Sequence, residues 1–170
     1  MDDRKRQLQE DRKQDMIKVD EFAVNMVSCI DDVIKDMAKG NLKEAAAKEK
    51  EAMGYLYQIS HRQHGEELHR PNKPTKLDLK RMSTLTAITN NLYDKSAKAE
   101  ARGDTIAANK LMYYSRLTSV VNMVVVQKKE MSDLMMCNYM GIERSDLKKL
   151  AVLGITKPDM PMGQFNDRGR

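Results

Sequence analysis

Residues 16–37 read MIKVDEFAVNMVSCIDDVIKDM. Within them Met16, Val19, Ala23, Met26, Ile30, Val33 and Met37 recur at alternating steps of three and four. That spacing places all seven on one face of an α-helix, as in the seams by which long helices pack together. Ile17, Val27 and Ile34 widen the stripe, which predicts packing against more than one neighbour. No other stretch supplies alternating strands, so the chain is expected to be all-α.

The seam stops upstream of Met16. Leu8 is the one apolar residue between Asp2 and Asp15, and ten of residues 1–15 are charged. Residues 1–15 are therefore predicted to form a charged N-terminal arm, either a solvated helical extension or disordered. Downstream, proline occurs only at 71, 74, 158 and 161, so long helices are permitted over 1–70 and 75–157. Gly40-Asn41 interrupts the pattern with a residue suited to a left-handed helix end and a residue suited to cap the next helix. A second helix follows, with Leu42, Ala45, Ala52, Met53, Leu56 and Ile59 on one side. Gly65 and the segment His69-Arg-Pro-Asn-Lys-Pro-Thr75 end it, the segment as a loop.

A third helix is expected from about Leu77 to Arg102. Gly103-Asp104 then repeats the stop-and-cap signal, and a fourth helix is expected from Thr105 to Gly141. Residues 120–126, VVNMVVV, have a β-branched bias. Without a partner strand they are read as helix. Ser145 or Asp146 is expected to open a short C-terminal helix through Leu153, and residues 154–170 read as a flexible tail. The expectation is a four-helix bundle over 16–153, built from two long antiparallel helical hairpins. Ala38-Lys-Gly-Asn41 is echoed by Ala101-Arg-Gly-Asp104. We read the echo as two turns obeying one capping chemistry, with a duplicated helical hairpin as the alternative.

Composition narrows the function. The 170 residues suit one domain. There is no Trp and there are fourteen Met, so the core must be aliphatic. No stretch approaches the roughly 20 apolar residues that span a bilayer, and the charged first residues are not a secretory signal. Cys29 and Cys137 make no disulfide framework and read as small buried hydrophobes, which fits a reducing cytoplasm, or the inside of a virion if the protein is viral. No phosphate-binding glycine loop, nucleophile elbow or zinc-protease motif occurs. No catalytic residue, cofactor or metal is expected. His61, His64 and His69 cluster in sequence, but a polar surface patch is the simpler reading, because no second histidine pair completes a metal shell.

The net charge of +5 is concentrated in one place. Between residues 69 and 81, Arg70, Lys73, Lys76, Lys80 and Arg81 face a single acidic residue, Asp78. Such a loop suits a phosphate backbone read without base specificity. The functional expectation is a non-enzymatic, nucleic-acid-associated accessory or packaging protein, with DNA or RNA as the polyanion. The alternative is a protein–protein adaptor or structural assembly subunit, such as a phage or viral component. The seam looks longer than its neighbours can cover. Met16, Val19, Met26, Ile30, Val33 and Met37, with Met131 and Met135 of the Met-rich region, are therefore expected at an interface between copies in a homo-oligomer. No membrane partner is expected.

Overall fold

Three of the long helices are started by a side chain that accepts a bond from the first turn. The computed structural model of the chain describes residues 2–61 and 74–156. Asp2 caps α1 (Asp3–Ala38) by accepting from Lys5 N at 2.8 Å. Thr75 and Asp78 form a reciprocal capping box, at 3.0 and 3.1 Å, that starts α3 (Lys76–Ala101). Such a box satisfies two of the amide donors that a helix start leaves open. Asp104 accepts from Ala107 N and starts α4 (Thr105–Val121). Between α1 and α3 lies α2 (Leu42–Ser60). Two short helices follow, α5 (Asp133–Met140) and α6 (Arg144–Lys149), and then a 3-10 turn over Ala151–Leu153. No strand occurs among the described residues, and the chain is all-α.

The predicted seam is where the core lies. α1 packs along α2, α3 packs along α4, and α1 also meets α3. Val19, Met26, Ile30 and Val33 of α1 are fully buried with Ala52, Leu56 and Ile59 of α2, Leu85, Ile88 and Leu92 of α3, and Leu111 and Leu117 of α4. Burying such side chains contributes about 1.5–3 kcal/mol each. α2 and α4 are bridged by polar groups as well. Lys110 Nζ lies 2.7 Å from Glu49 Oε2, and the buried Tyr114 hydroxyl donates to the same carboxylate. Burial pushes Glu49 upward, but hydrogen bonds from Lys110 and Tyr114 outweigh it and hold the carboxyl below its ordinary range.

The charged arm is a helical extension of the bundle: α1 runs unbroken from Asp3, with residues 3–10 exposed. The side-chain pairs Gln7–Asp11 and Glu10–Gln14, each four residues apart, support it. The fourth helix does not reach Gly141. It passes at Asn122–Val126 into a π-helical turn, and α5 begins afresh only after a Ser132 cap. The β-branched Val124-Val125-Val126 run restricts side-chain freedom against the preceding turn, and the ladder widens there, with Gln127 N bonding Asn122 O at 2.9 Å. The tail reading over 154–170 is corrected at its start, since Ile155 is buried in the core. Residues 157–170 lie outside the described residues.

Candidate nucleic-acid interface

The capping box decides where the cations of the basic segment point. With α3 starting at Lys76, helical phase puts Leu77, Arg81 and Leu85 on the inward stripe, four residues apart. Lys76 and Lys80 fall on the outer side. Lys76 is exposed. Lys80 reaches across to α1, where its Nζ lies 2.7 Å from Asp20 Oδ1. Arg81 is 1% exposed. Its Nη1 lies 3.3 Å from Asp78 Oδ1, and its Nη2 donates to the carbonyl of His61 at 2.6 Å. Arg81 therefore ties the C-terminal end of α2 to the first turn of α3, and its expected phosphate contact is corrected. A charge count cannot see this burial. Arg70 and Lys73 lie outside the described residues.

Lys76 has company that the charge count missed. On α1, Gln9, Arg12, Lys13 and Met16 recur at steps of three, one and three, so they share a face. That face is the upstream continuation of the seam. There it turns polar and lies against the start of α3. Gln9, Arg12, Lys13 and Met16 line a cavity of about 510 Å³ with Thr75, Lys76 and Leu77. Lys13 and Lys76 are exposed at its edge and Arg12 is half-buried. The start of α3 adds the partial positive charge of a helix N-terminus. Asp15 is buried on the same stretch of α1 and Asp11 is half-buried, so the groove is cationic at its rim and not throughout.

The remaining sequence expectations separate. His64 and His69 lie outside the described residues. His61 is no member of a surface patch. It is half-buried, its ring stacks on Tyr57 with centroids 3.9 Å apart, and its Nδ1 lies 2.9 Å from Ser60 Oγ and 3.0 Å from Tyr57 O. Burial lowers its pKa most, and the nearby charges of Lys128 and Arg81 lower it further. Among the described residues no group of three or more His, Cys, Asp or Glu could hold a metal ion. Cys29 and Cys137 are buried free thiols. Burial and the neighbouring Glu51 raise the pKa of Cys29.

The interface residues are corrected in part. Val19, Met26, Ile30 and Val33 are used up inside the chain, because α2 and α3 together cover the seam. Met16 and Met131 pack half-buried against the same core, Met37 is half-buried, and Met135 alone of the set is exposed. Comparison with known proteins finds no matching family model, no matching curated protein and no matching solved structure.

Proposed function

We propose that the chain is a non-enzymatic nucleic-acid-associated accessory protein that holds a phosphate backbone at one end of a helical bundle. In this reading α1–α2 and α3–α4 are two antiparallel hairpins of a four-helix bundle. The binding end is the rim where the upstream part of α1 meets the start of α3. Lys76, Lys13 and Arg12 are its described cations. The observation that carries the reading is the shared cavity of Arg12, Lys13 and Lys76, which brings cations from two distant parts of the sequence to one edge. A rim of lysine and arginine without a stacking aromatic fits backbone contact and gives no base specificity.

The test is retention of the purified chain on generic duplex DNA and on RNA at low salt. Retention on either, abolished by nuclease treatment, is expected. Retention on neither overturns the reading. A second reading, a protein–protein adaptor or assembly subunit, is favoured by Leu134 and Met135, which stand side by side on α5 at 71% and 57% exposure. Under that reading the chain self-associates or captures a partner through α5, and replacing both residues with Gln abolishes association without affecting nucleic acid.

A further inference from the structure

Two ion pairs between α1 and α3 fix how these helices lie. Lys80 pairs with Asp20 at 2.7 Å, and Lys95 pairs with Asp31 at 2.9 Å. Later residues of one helix meet later residues of the other, so α1 and α3 run in the same direction and finish at the same end of the bundle. A cavity of about 300 Å³ opens there. Its apolar lining is Ile34, half-buried, and Leu111, which is 4% exposed. Asp31 and Lys35 line it from α1, and Lys95, Lys98 and Arg102 from α3 and its cap. The last three recur at steps of three and four, which puts them on one side of the end of α3. From Lys13 to Lys35 α1 rises by about 33 Å, at about 1.5 Å per residue. The cavity and the cationic rim therefore lie at opposite ends of the bundle.

The cations of this cavity are not all matched by carboxylates. Lys95 Nζ donates to both oxygens of Asp31, at 2.9 and 3.1 Å. Lys35, Lys98 and Arg102 are exposed and form no ion pair with the described residues. Lys35 and Lys98 stand in the last turns of their helices, where a cation offsets the partial negative charge of a helix C-terminus. That effect is complete within each helix and calls for no shared opening. Lys98 and Arg102 are four residues apart, a spacing at which like charges repel on a helix. An anion seated among them removes that repulsion. The guanidinium of Arg102 offers the planar fork that matches phosphate oxygens. The volume is at the lower end of small-molecule sites, about 300–1,000 Å³, and the mixture of apolar lining with a few charged groups is typical of them. We propose that this cavity binds a small organic phosphate, with its phosphoryl oxygens held by Lys35, Lys98 and Arg102 and its apolar part against Ile34 and Leu111.

The full chain is titrated calorimetrically with phenyl phosphate at constant ionic strength. Saturable binding of one equivalent is expected, about tenfold tighter than that of inorganic phosphate, because the ring adds apolar contact. Lys98→Gln and Arg102→Gln are each expected to weaken it about tenfold, through loss of a charge-assisted hydrogen bond. Lys43→Gln removes an exposed charge at the same end of the bundle, outside the described lining, and is expected to leave affinity nearly unchanged. All three side chains are exposed, so thermal unfolding of the variants should stay close to wild type. If Arg102→Gln loses its fold, Lys98→Gln carries the same test. No saturable binding of phenyl phosphate, or an equal loss in Lys43→Gln, overturns the proposal. Equal affinity for inorganic and phenyl phosphate overturns the assignment to an organic ligand. A generic DNA duplex is then added. Phenyl phosphate that stays bound in its presence supports a site separate from the rim. Displacement by the duplex gives the cavity to backbone phosphates and overturns the proposal. If phenyl phosphate binds and the duplex does not, this site stands and the rim reading fails. If the duplex binds and phenyl phosphate does not, this proposal falls and the rim reading survives.

Discussion

The turns at Gly40-Asn41 and Gly103-Asp104 share one backbone, yet the helix pairs they join are held together differently. In each turn the glycine is left-handed, at φ 77° and 81°. In each, three backbone bonds close the helix in the same pattern. Lys39, Gly40 and Asn41 donate to Lys35, Met37 and Asp36, and Arg102, Gly103 and Asp104 donate to Lys98, Glu100 and Ala99. Away from the turns the likeness ends. The contact between α1 and α2 is filled by Val19, Met26, Ile30, Leu56 and Ile59. The contact of α3 with α4 and the π-helical turn after it is apolar too, and adds short directional bonds. Ser96 Oγ donates to Ala108 O at 2.7 Å, Ser115 Oγ donates to Thr89 O at 2.8 Å, and Asn122 Nδ2 donates to Met82 O at 3.3 Å. Between α1 and α2 the polar contacts are long, Cys29 Sγ to Glu51 Oε2 at 3.5 Å and Lys48 Nζ to Asp32 Oδ2 at 3.9 Å, whereas the short side-chain-to-backbone bonds of α3 and α4 fix that pair in register. The echo in the sequence is thus a repeat of capping chemistry, and it does not extend into the hairpin interiors.

The contrast can be broken most forcefully at Arg81, where α2 and α3 meet. Arg81→Met leaves Asp78 buried without its cation and the His61 carbonyl without its donor. A loss of about 3–5 kcal/mol in chemical denaturation is expected, as for other buried pairs cut on one side. A loss below about 1 kcal/mol would show that the buried arginine holds nothing in place.

The two interiors are compared next, by one truncation in each. Ile30→Ala in the apolar pair should cost about 3 kcal/mol, through lost burial and the cavity it leaves. Ser115→Ala in the hydrogen-bonded pair should cost about 1 kcal/mol, the net worth of one hydrogen bond. Equal losses in urea titrations would remove the distinction between area and register.

The smallest effects are at the turns, and they sharpen the comparison. Asp104 accepts from Ala107 N, whereas Asn41 makes no capping bond with its side chain. Asp104→Ala is expected to cost about 1 kcal/mol. Asn41→Ala is expected to stay within about 0.5 kcal/mol, as at an ordinary surface position. Thermal unfolding of the two variants side by side measures this, and the reverse order would mean that the turns differ in a way their backbone bonds do not reveal.

Much of this was legible from residue spacing. The Met16–Met37 seam and the two Gly-Asn/Asp stops placed the end of α1, the start of α2 and both ends of α3 within a residue or two, because periodicity and capping are local; the start of α1 at Asp3 and the end of α2 at Ser60 were not placed by them. The break after Val121 was not legible. A β-branched run weakens a helix without dictating a π-turn, and the outcome there depends on packing against α2 and α3. At the candidate interface, counting charges over 69–81 found Lys76 but misjudged Arg81. The corrective signal was present, since Thr75 and Asp78 have capping-box spacing and Arg81 lies one helical step from each of Leu77 and Asp78. Arg12 and Lys13 were legible in the same way, on the face that leads into Met16. Their meeting with Lys76 was not, because it depends on how α1 lies against α3.

The central claim is that helical phase sorts the cations of the basic segment, leaving Lys76 open to a phosphate backbone while Lys80 is held by Asp20. The direct measurement is the dependence of affinity for a generic DNA duplex on salt concentration, taken for the wild-type chain, Lys76→Gln and Lys80→Gln. Each phosphate contact contributes a log–log slope of about 0.9. Lys76→Gln is predicted to flatten the slope by about that amount, and Lys80→Gln to leave it nearly unchanged. Equal flattening by both variants, or a larger effect from Lys80→Gln, would contradict the account.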